Sequence, residues 1–339
     1  MNTPVARRVL SAAAAAALGL SLTACSALST ESSEPSGSDA PKDASGTLSV
    51  AVSFYPIQYL AETIGGDHVS VTSLTPTNVE PHDYDLSGKE VISTLEGSSL
   101  VAYVAGFQPS LDKAVAQISG PTVVDLSGEV DLQHHEGVED EDEHGEASDG
   151  TTEKATGEAG HEGHDHDAGS LDPHFWLDPV RMKSAATAVE EALAAADPDN
   201  ADDYKANLDS LTTTLDGLDS SYKGGLTRCE RKTFITSHAA FGYLADRYGL
   251  TQVSISGIDP ETEPSAADIA AAKKAVEDTG STTIFTEELV SPETADAVAG
   301  ETGATTDVLS PIESAPEDTD YAGAMSNNLD ALRTALACK

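Results

Sequence analysis

The chain has 339 residues, a formal net charge of −40, three cysteines and one tryptophan. Such an acidic balance excludes nucleic acid as a partner, because phosphate binding needs clustered Lys and Arg, and it excludes a polybasic membrane patch as well. Much of the excess is local: residues 129–167 hold fifteen Asp or Glu against the single Lys154, so the rest of the chain is less acidic than the total suggests.

Arg7 and Arg8, an apolar run from Val9 to Leu20 and then Leu22-Thr-Ala-Cys25 have the plan of an export signal. The apolar run is too short to remain as a membrane-spanning helix. Leu22-Thr-Ala-Cys25 resembles a bacterial lipobox, which implies that residues 1–24 are a signal peptide and that Cys25 is lipidated. Residues 25–46, rich in Ser, Glu, Pro and Gly, cannot support a core and are expected to form a disordered tether.

From Thr47 the pattern alternates. Thr47–Tyr55 is strand-like, Pro56 opens a helix to Ile64, and Val69–Leu74 is a second strand. A helix over Ser87–Glu96, a strand over Leu100–Val104, a helix opened by Pro109 and a strand over Thr122–Leu126 complete an N-terminal lobe, 47–180. Strands and helices at this spacing imply a parallel sheet built from βαβ units. Residues 129–170 interrupt the pattern with acids, glycines and six histidines, His134, His135, His144, His161, His164 and His166, and are expected to be a disordered surface loop.

A helical register begins at Val180 and ends at Asp197-Pro198. A second helix follows, from Asn200 to Leu226, with Tyr204, Leu208, Leu211, Leu215, Leu218, Tyr222 and Leu226 on one stripe. At about 1.5 Å per residue it is a rod of roughly 40 Å, a stiff connector rather than a hinge. Residues 181–228 are thus expected to join the lobes. The alternation resumes in a C-terminal lobe, 229–339, with strands at Thr233–Thr236, Gln252–Ser256, Thr282–Thr286 and Thr305–Leu309. Its helices start near Ala239, Ser265 and Pro292, and a last one covers Asp320–Ala337. The fold class is α/β, two parallel-sheet lobes joined by a long rigid helix. After Cys25 only Cys229 and Cys338 remain, and in an exported chain they most simply form one disulfide, free or metal-binding thiols being the alternative.

In parallel sheets the loops at the carboxyl ends of strands line the binding crevice. His82, in Glu80-Pro-His-Asp-Tyr84, follows a strand of the first lobe, and His238, in Thr236-Ser-His-Ala-Ala-Phe-Gly-Tyr243, directly follows one of the second. His174 lies in Leu171-Asp-Pro-His-Phe-Trp-Leu-Asp-Pro179, at the entry to the connecting helices. We expect the three imidazoles to meet on one metal ion in the cleft between the lobes, with Glu313, after the last strand, as a fourth candidate. Three neutral imidazoles and a carboxylate suit Zn²⁺, whereas Mn²⁺ favours more oxygen. Only neutral histidine ligates, so affinity should fall as pH drops toward about 6.5 and below. Taken singly, each histidine is more often a turn or capping residue than a ligand, Asp83 and Asp178 are helix caps, and Trp176 is a packing residue.

These three motifs and Thr286-Glu-Glu-Leu-Val-Ser-Pro292, in this order, resemble the metal-specific solute-binding proteins of bacterial ABC importers, particularly the zinc receptors of the ZnuA or AdcA type. The similarity spans 47–338 and implies a two-lobed fold with His82, His174 and His238 as ligands. It leaves the fourth open among Glu313, Glu80 and water. It also implies an extracytoplasmic, lipid-anchored monomer that hands Zn²⁺ to an ABC permease with a separate ATPase. Consistent with that division of labour, no Gly-x-x-x-x-Gly-Lys-Ser/Thr phosphate loop occurs. The acidic histidine loop resembles one in zinc receptors, which makes its six histidines weak secondary zinc ligands. A manganese receptor or adhesin on the same fold is the alternative. A secreted zinc hydrolase is a rival of another class, but no His-Glu-x-x-His or Gly-x-Ser-x-Gly occurs, and no enzyme is expected.

Overall fold

The computed structural model describes residues 46–135 and 171–339. The expected signal peptide, lipidated Cys25 and tether lie outside them, as do His144, His161, His164 and His166. The first sheet contains β1 (Leu48–Val52), β2 (Val69–Ser73), β3 (Leu100–Tyr103) and β4 (Thr122–Asp125), all parallel, in the order β2-β1-β3-β4. Its crossovers are α1 (Tyr55–Gly65), α2 (Lys89–Gly97) and α3 (Pro109–Val115). After α4 (Pro179–Ala196) and α5 (Ala201–Gly225), the second sheet repeats the plan. Its strands are β5 (Thr233–Thr236), β6 (Thr251–Ser254), β7 (Thr283–Thr286) and β8 (Thr305–Val308), parallel and ordered β6-β5-β7-β8. Helices α6 (Gly242–Tyr248), α7 (Ala266–Thr279) and α8 (Glu293–Thr302) connect them, and α9 (Tyr321–Ala335) closes the chain.

In both sheets the first strand lies inside and its neighbours arrive from opposite sides. The connections after it therefore diverge, opening a crevice at the carboxyl ends. β1 reads as apolar without alternation because both its faces are covered, and Val50, Ala51 and Val52 have no exposed surface. α4 starts where expected because Asp178 caps it, accepting from the Val180 amide, with Pro179 in its first turn. No helix begins at Asp83: α2 starts only at Lys89, after an uncapped Gly88.

The long helix α5 runs 25 residues. Its stripe, Tyr204 through Tyr222, is buried against α1 and α4 on one side and α9 on the other. One continuous apolar core therefore extends from β1 and α1 through α4 and α5 to Phe234, Phe241 and Leu332 of the second lobe. Arg247 of α6 adds a polar tie across the same boundary, reaching Asp219 of α5 at 2.7 Å and Asp178 at 3.1 Å. Its guanidinium, together with Lys223, holds the Asp219 carboxyl down at about 2 against the opposing effect of burial.

Residues 129–135 correct the expectation of disorder from 129 onward. Val130 is buried, the Gln133 amide donates to the Tyr243 hydroxyl at 2.8 Å, and the His135 ring is wedged against α6. The acidic composition concealed these few anchored positions at the start of the stretch.

Cys229 and Cys338 are disulfide-bonded, 109 positions apart. The Arg231 guanidinium reinforces the junction by donating twice to the Ala335 carbonyl, at 3.0 and 2.9 Å. Closing a loop of that length restricts the unfolded chain, so the double variant Cys229→Ser/Cys338→Ser should lose up to about 4.7 kcal/mol of stability in denaturant titration. A midpoint unchanged from that of the oxidised parent would contradict this.

Candidate metal centre

Each of the four side chains in the cleft is aimed by its own local device. His82 sits in the turn after β2, where the Glu80 carboxylate accepts from the backbone amides of His82 at 3.0 Å and Asp83 at 3.4 Å. Buried Gln108 completes this turn by donating to the Pro81 carbonyl at 2.9 Å, and Phe107 meets the His82 ring edge-on at 4.6 Å. Glu80 thus shapes the turn, and the carboxylate that converges with the imidazoles is Glu313.

His174 immediately precedes the short helical turn Phe175–Leu177 that leads into α4. Asp172 clamps it twice, one oxygen accepting from the His174 backbone amide at 2.9 Å and from its Nδ1 at 2.7 Å. His238 leaves the end of β5, and its Nδ1 donates to Glu287, just beyond β7, at 2.5 Å. The Ser237 hydroxyl donates to the same carboxylate. In both imidazoles the buried carboxylate accepts a hydrogen bond from Nδ1–H, which keeps the proton on Nδ1 and leaves Nε2 facing inward.

Glu313 projects from the segment after β8. Asn328 of α9 pins that segment by accepting from the Ser310 amide at 2.9 Å and donating to the Ser310 carbonyl at 2.7 Å. The Trp176 indole donates to the Pro311 carbonyl at 2.7 Å. Trp176 is therefore a packing residue, as expected, and also a strut for the loop that carries Glu313. Directly after these struts Ile312 adopts φ 58°, an unusual backbone for a β-branched residue, with its amide donating to the Ser310 hydroxyl at 3.2 Å.

The result is a tight convergence. Glu313 Oε1 lies 3.3 Å from His82 Nε2, 3.1 Å from His174 Nε2 and 3.8 Å from His238 Nε2, and the His174 and His238 Nε2 atoms are 3.4 Å apart. All four ligand atoms lie within 4.8 Å of one another, and all four residues are buried. A tetrahedral ion with bonds near 2.0–2.1 Å needs ligand atoms about 3.3 Å apart, so these spacings suit one small cation. Electrostatics agree. Burial opposes a charged His174, yet Asp172 and Glu313 outweigh it and raise the imidazole to about 9. The Glu313 carboxyl, despite burial, is held well below the usual carboxylate range by the imidazoles around it. A site that draws protons onto Nε2 this strongly is equally prepared for a cation.

The sequence-predicted residues His82, His174, His238 and Glu313 thus come together, while His134 and His135 sit apart, beside α6. Sequence reasoning missed the roles of Asp172 and Glu287, although both stand in motifs it singled out. A carboxylate two positions before His174 was a usable signal. The partnership of Glu287 with His238 was not, because it depends on β7 lying beside β5.

A two-lobed α/β molecule with a buried imidazole and carboxylate cluster between its sheets defines a class of metal-capturing proteins. Comparison specifies it further. Residues 50–335 match the family model described as ZnuA, zinc-uptake complex component A, periplasmic, and the chain belongs to this family. It is 34% identical to the high-affinity zinc uptake system protein ZnuA of Bacillus subtilis over 332 residues, 96% of each chain. It is 33% identical over 300 residues to the zinc-binding lipoprotein AdcA of Streptococcus pneumoniae, covering 86% of this chain but only 56% of that longer relative. The Zn(II)-bound ZnuA-like domain of that pneumococcal protein superposes with a TM-score of 0.67 at 28% identity, over 86% of this chain and 99% of the domain.

Proposed function

We propose that the chain is an extracytoplasmic zinc receptor, held at the bacterial cell membrane through lipidated Cys25, which captures Zn²⁺ and delivers it to an ABC permease driven by a separate ATPase. The carrying observation is the convergence of three Nε2 atoms and one Glu313 oxygen in a buried cleft. Three nitrogens and one oxygen favour zinc over manganese, which prefers more oxygen. His82, His174, His238 and Glu313 are the ligands, Asp172 and Glu287 set two of the imidazole tautomers, and the zinc is cargo rather than a catalytic cofactor. Membership of a zinc-uptake family supports this reading.

Transfer follows from the architecture. The continuous core through α5 resists wide separation of the lobes, so the monomer releases zinc through local rearrangement of the loops carrying the ligands. The histidines of the acidic stretch, apart from His135, collect zinc weakly. The lobes divide as 47–180 and 229–339, with 181–228 between them.

Stripping the purified protein of metal and offering Zn²⁺, Mn²⁺ and Cu²⁺ together tests the reading. One tightly held Zn²⁺ per chain is expected in the cleft, and preferential retention of Mn²⁺ would overturn the assignment.

A further inference from the structure

His135 stands at the point where the acidic, histidine-bearing stretch departs, and composition groups it with the weak ligands of that stretch. Its surroundings give it a different place. The ring lies edge-on to Tyr243 at 4.5 Å, and its side chain is only 14% exposed. Gly242 makes the seat possible: a Cβ there would come within 2.4 Å of the His135 ring. The His135 Nδ1 donates to the buried Asp172 carboxylate at 2.7 Å, through the oxygen that His174 does not use. Its Nε2 faces Asp246 of α6 at 3.1 Å.

We propose that His135 is a positioning residue for the metal centre, acting on His174 through Asp172. The inference rests on the ligand assignment above and goes one group further out. A carboxylate with one oxygen unrestrained can rotate about its own bond, and the imidazole it steers then loses its aim. Here both oxygens are taken, one by His174 and one by His135, so the carboxylate plane is fixed and His174 Nε2 stays directed at the cleft. Outer partners of metal-binding histidines matter for this reason. The two contacts of His135 differ in weight. Asp246 is 76% exposed, and an ion pair of that kind contributes little, whereas Asp172 is fully buried and cannot exchange His135 for water without cost. Burial disfavours a charged His135, but the two flanking carboxylates prevail and raise its pKa above the ordinary imidazole value.

The test measures zinc affinity by chelator competition, together with the visible absorption of the Co²⁺-loaded protein, for His135→Ala, His135→Asn, Gly242→Ala and His174→Ala. His135→Ala should weaken zinc about tenfold to hundredfold and alter the cobalt bands. His135→Asn, whose amide can donate to Asp172 from nearly the same place, should recover most of the affinity. Gly242→Ala keeps the imidazole but pushes it from its seat, and should reproduce the loss even if His135→Ala fails to fold. Parental affinity and spectrum in both His135→Ala and Gly242→Ala would overturn the proposal. So would an Asn variant as weak as a folded Ala variant. His174→Ala separates the two levels: if it retains the tight site the ligand assignment is wrong, and if it loses the site while His135→Ala does not, only the role of His135 fails.

Discussion

His174→Ala should abolish tight zinc binding while leaving the fold intact. Removing this ring deletes one of four ligand atoms and takes from buried Asp172 one of the three hydrogen bonds its carboxylate accepts, the backbone amide of residue 174 and His135 supplying the other two. Four-ligand zinc sites contribute on the order of 10–16 kcal/mol at neutral pH, so a quarter of that corresponds to roughly a hundredfold to a thousandfold in affinity. The hydrogen bond lost from the buried carboxylate adds to the loss. Water can fill the fourth position of a zinc ion, as it does in open sites, but it does not restore the nitrogen ligand. Isothermal titration with a competing chelator reads the change directly, and an affinity within threefold of the parent would remove His174 from the ligand set. The same experiment on Glu313→Ala should show a loss as well, because its oxygen lies within 3.8 Å of all three Nε2 atoms.

The second large effect is the pH dependence of capture. The sequence alone places the fall in affinity near 6.5, where an ordinary imidazole titrates. The structure moves its onset upward, because His174 faces Asp172 on one nitrogen and Glu313 on the other and is raised to about 9. Below that value the ion-free ring is protonated, and zinc must expel the proton; above it the ring is already neutral. Apparent affinity should therefore be level above pH 9 and fall about tenfold per pH unit for each proton displaced, or about a hundredfold from pH 8.5 to 6.5 for one. Glu313, held well below the ordinary carboxylate range, stays ionised throughout this window and does not compete. Stability of the ion-free protein runs the other way: a raised imidazole stabilises the fold fully below its unfolded value and loses that contribution as pH rises through about 9. Measuring affinity and ion-free melting over pH 6–9.5 checks both signs together. A flat affinity across that span would contradict a histidine centre.

The fold was legible because each element carried a local signal. Pro56 and Pro109 opened helices, the β-branched and aromatic bias at β1 and the apolar run at β3 marked strands, and the seven-residue stripe ending at Leu226 fixed α5 to within a residue or two. Residues 129–135 were misread because anchoring there comes from isolated contacts, such as Gln133 with Tyr243, with no periodicity to betray them.

The sequence by itself determined the alternation that makes two parallel sheets, the stiffness of the connector and the three histidine motifs, since helix period, strand bias and capping are properties of neighbouring residues. Only the tertiary structure decided that Glu313 and not Glu80 completes the cluster, that Asp172 and Glu287 direct the rings, and that His135 belongs to Asp172. These choices are made between residues up to 231 positions apart, where sheet order and loop geometry, rather than spacing along the chain, determine which atoms meet.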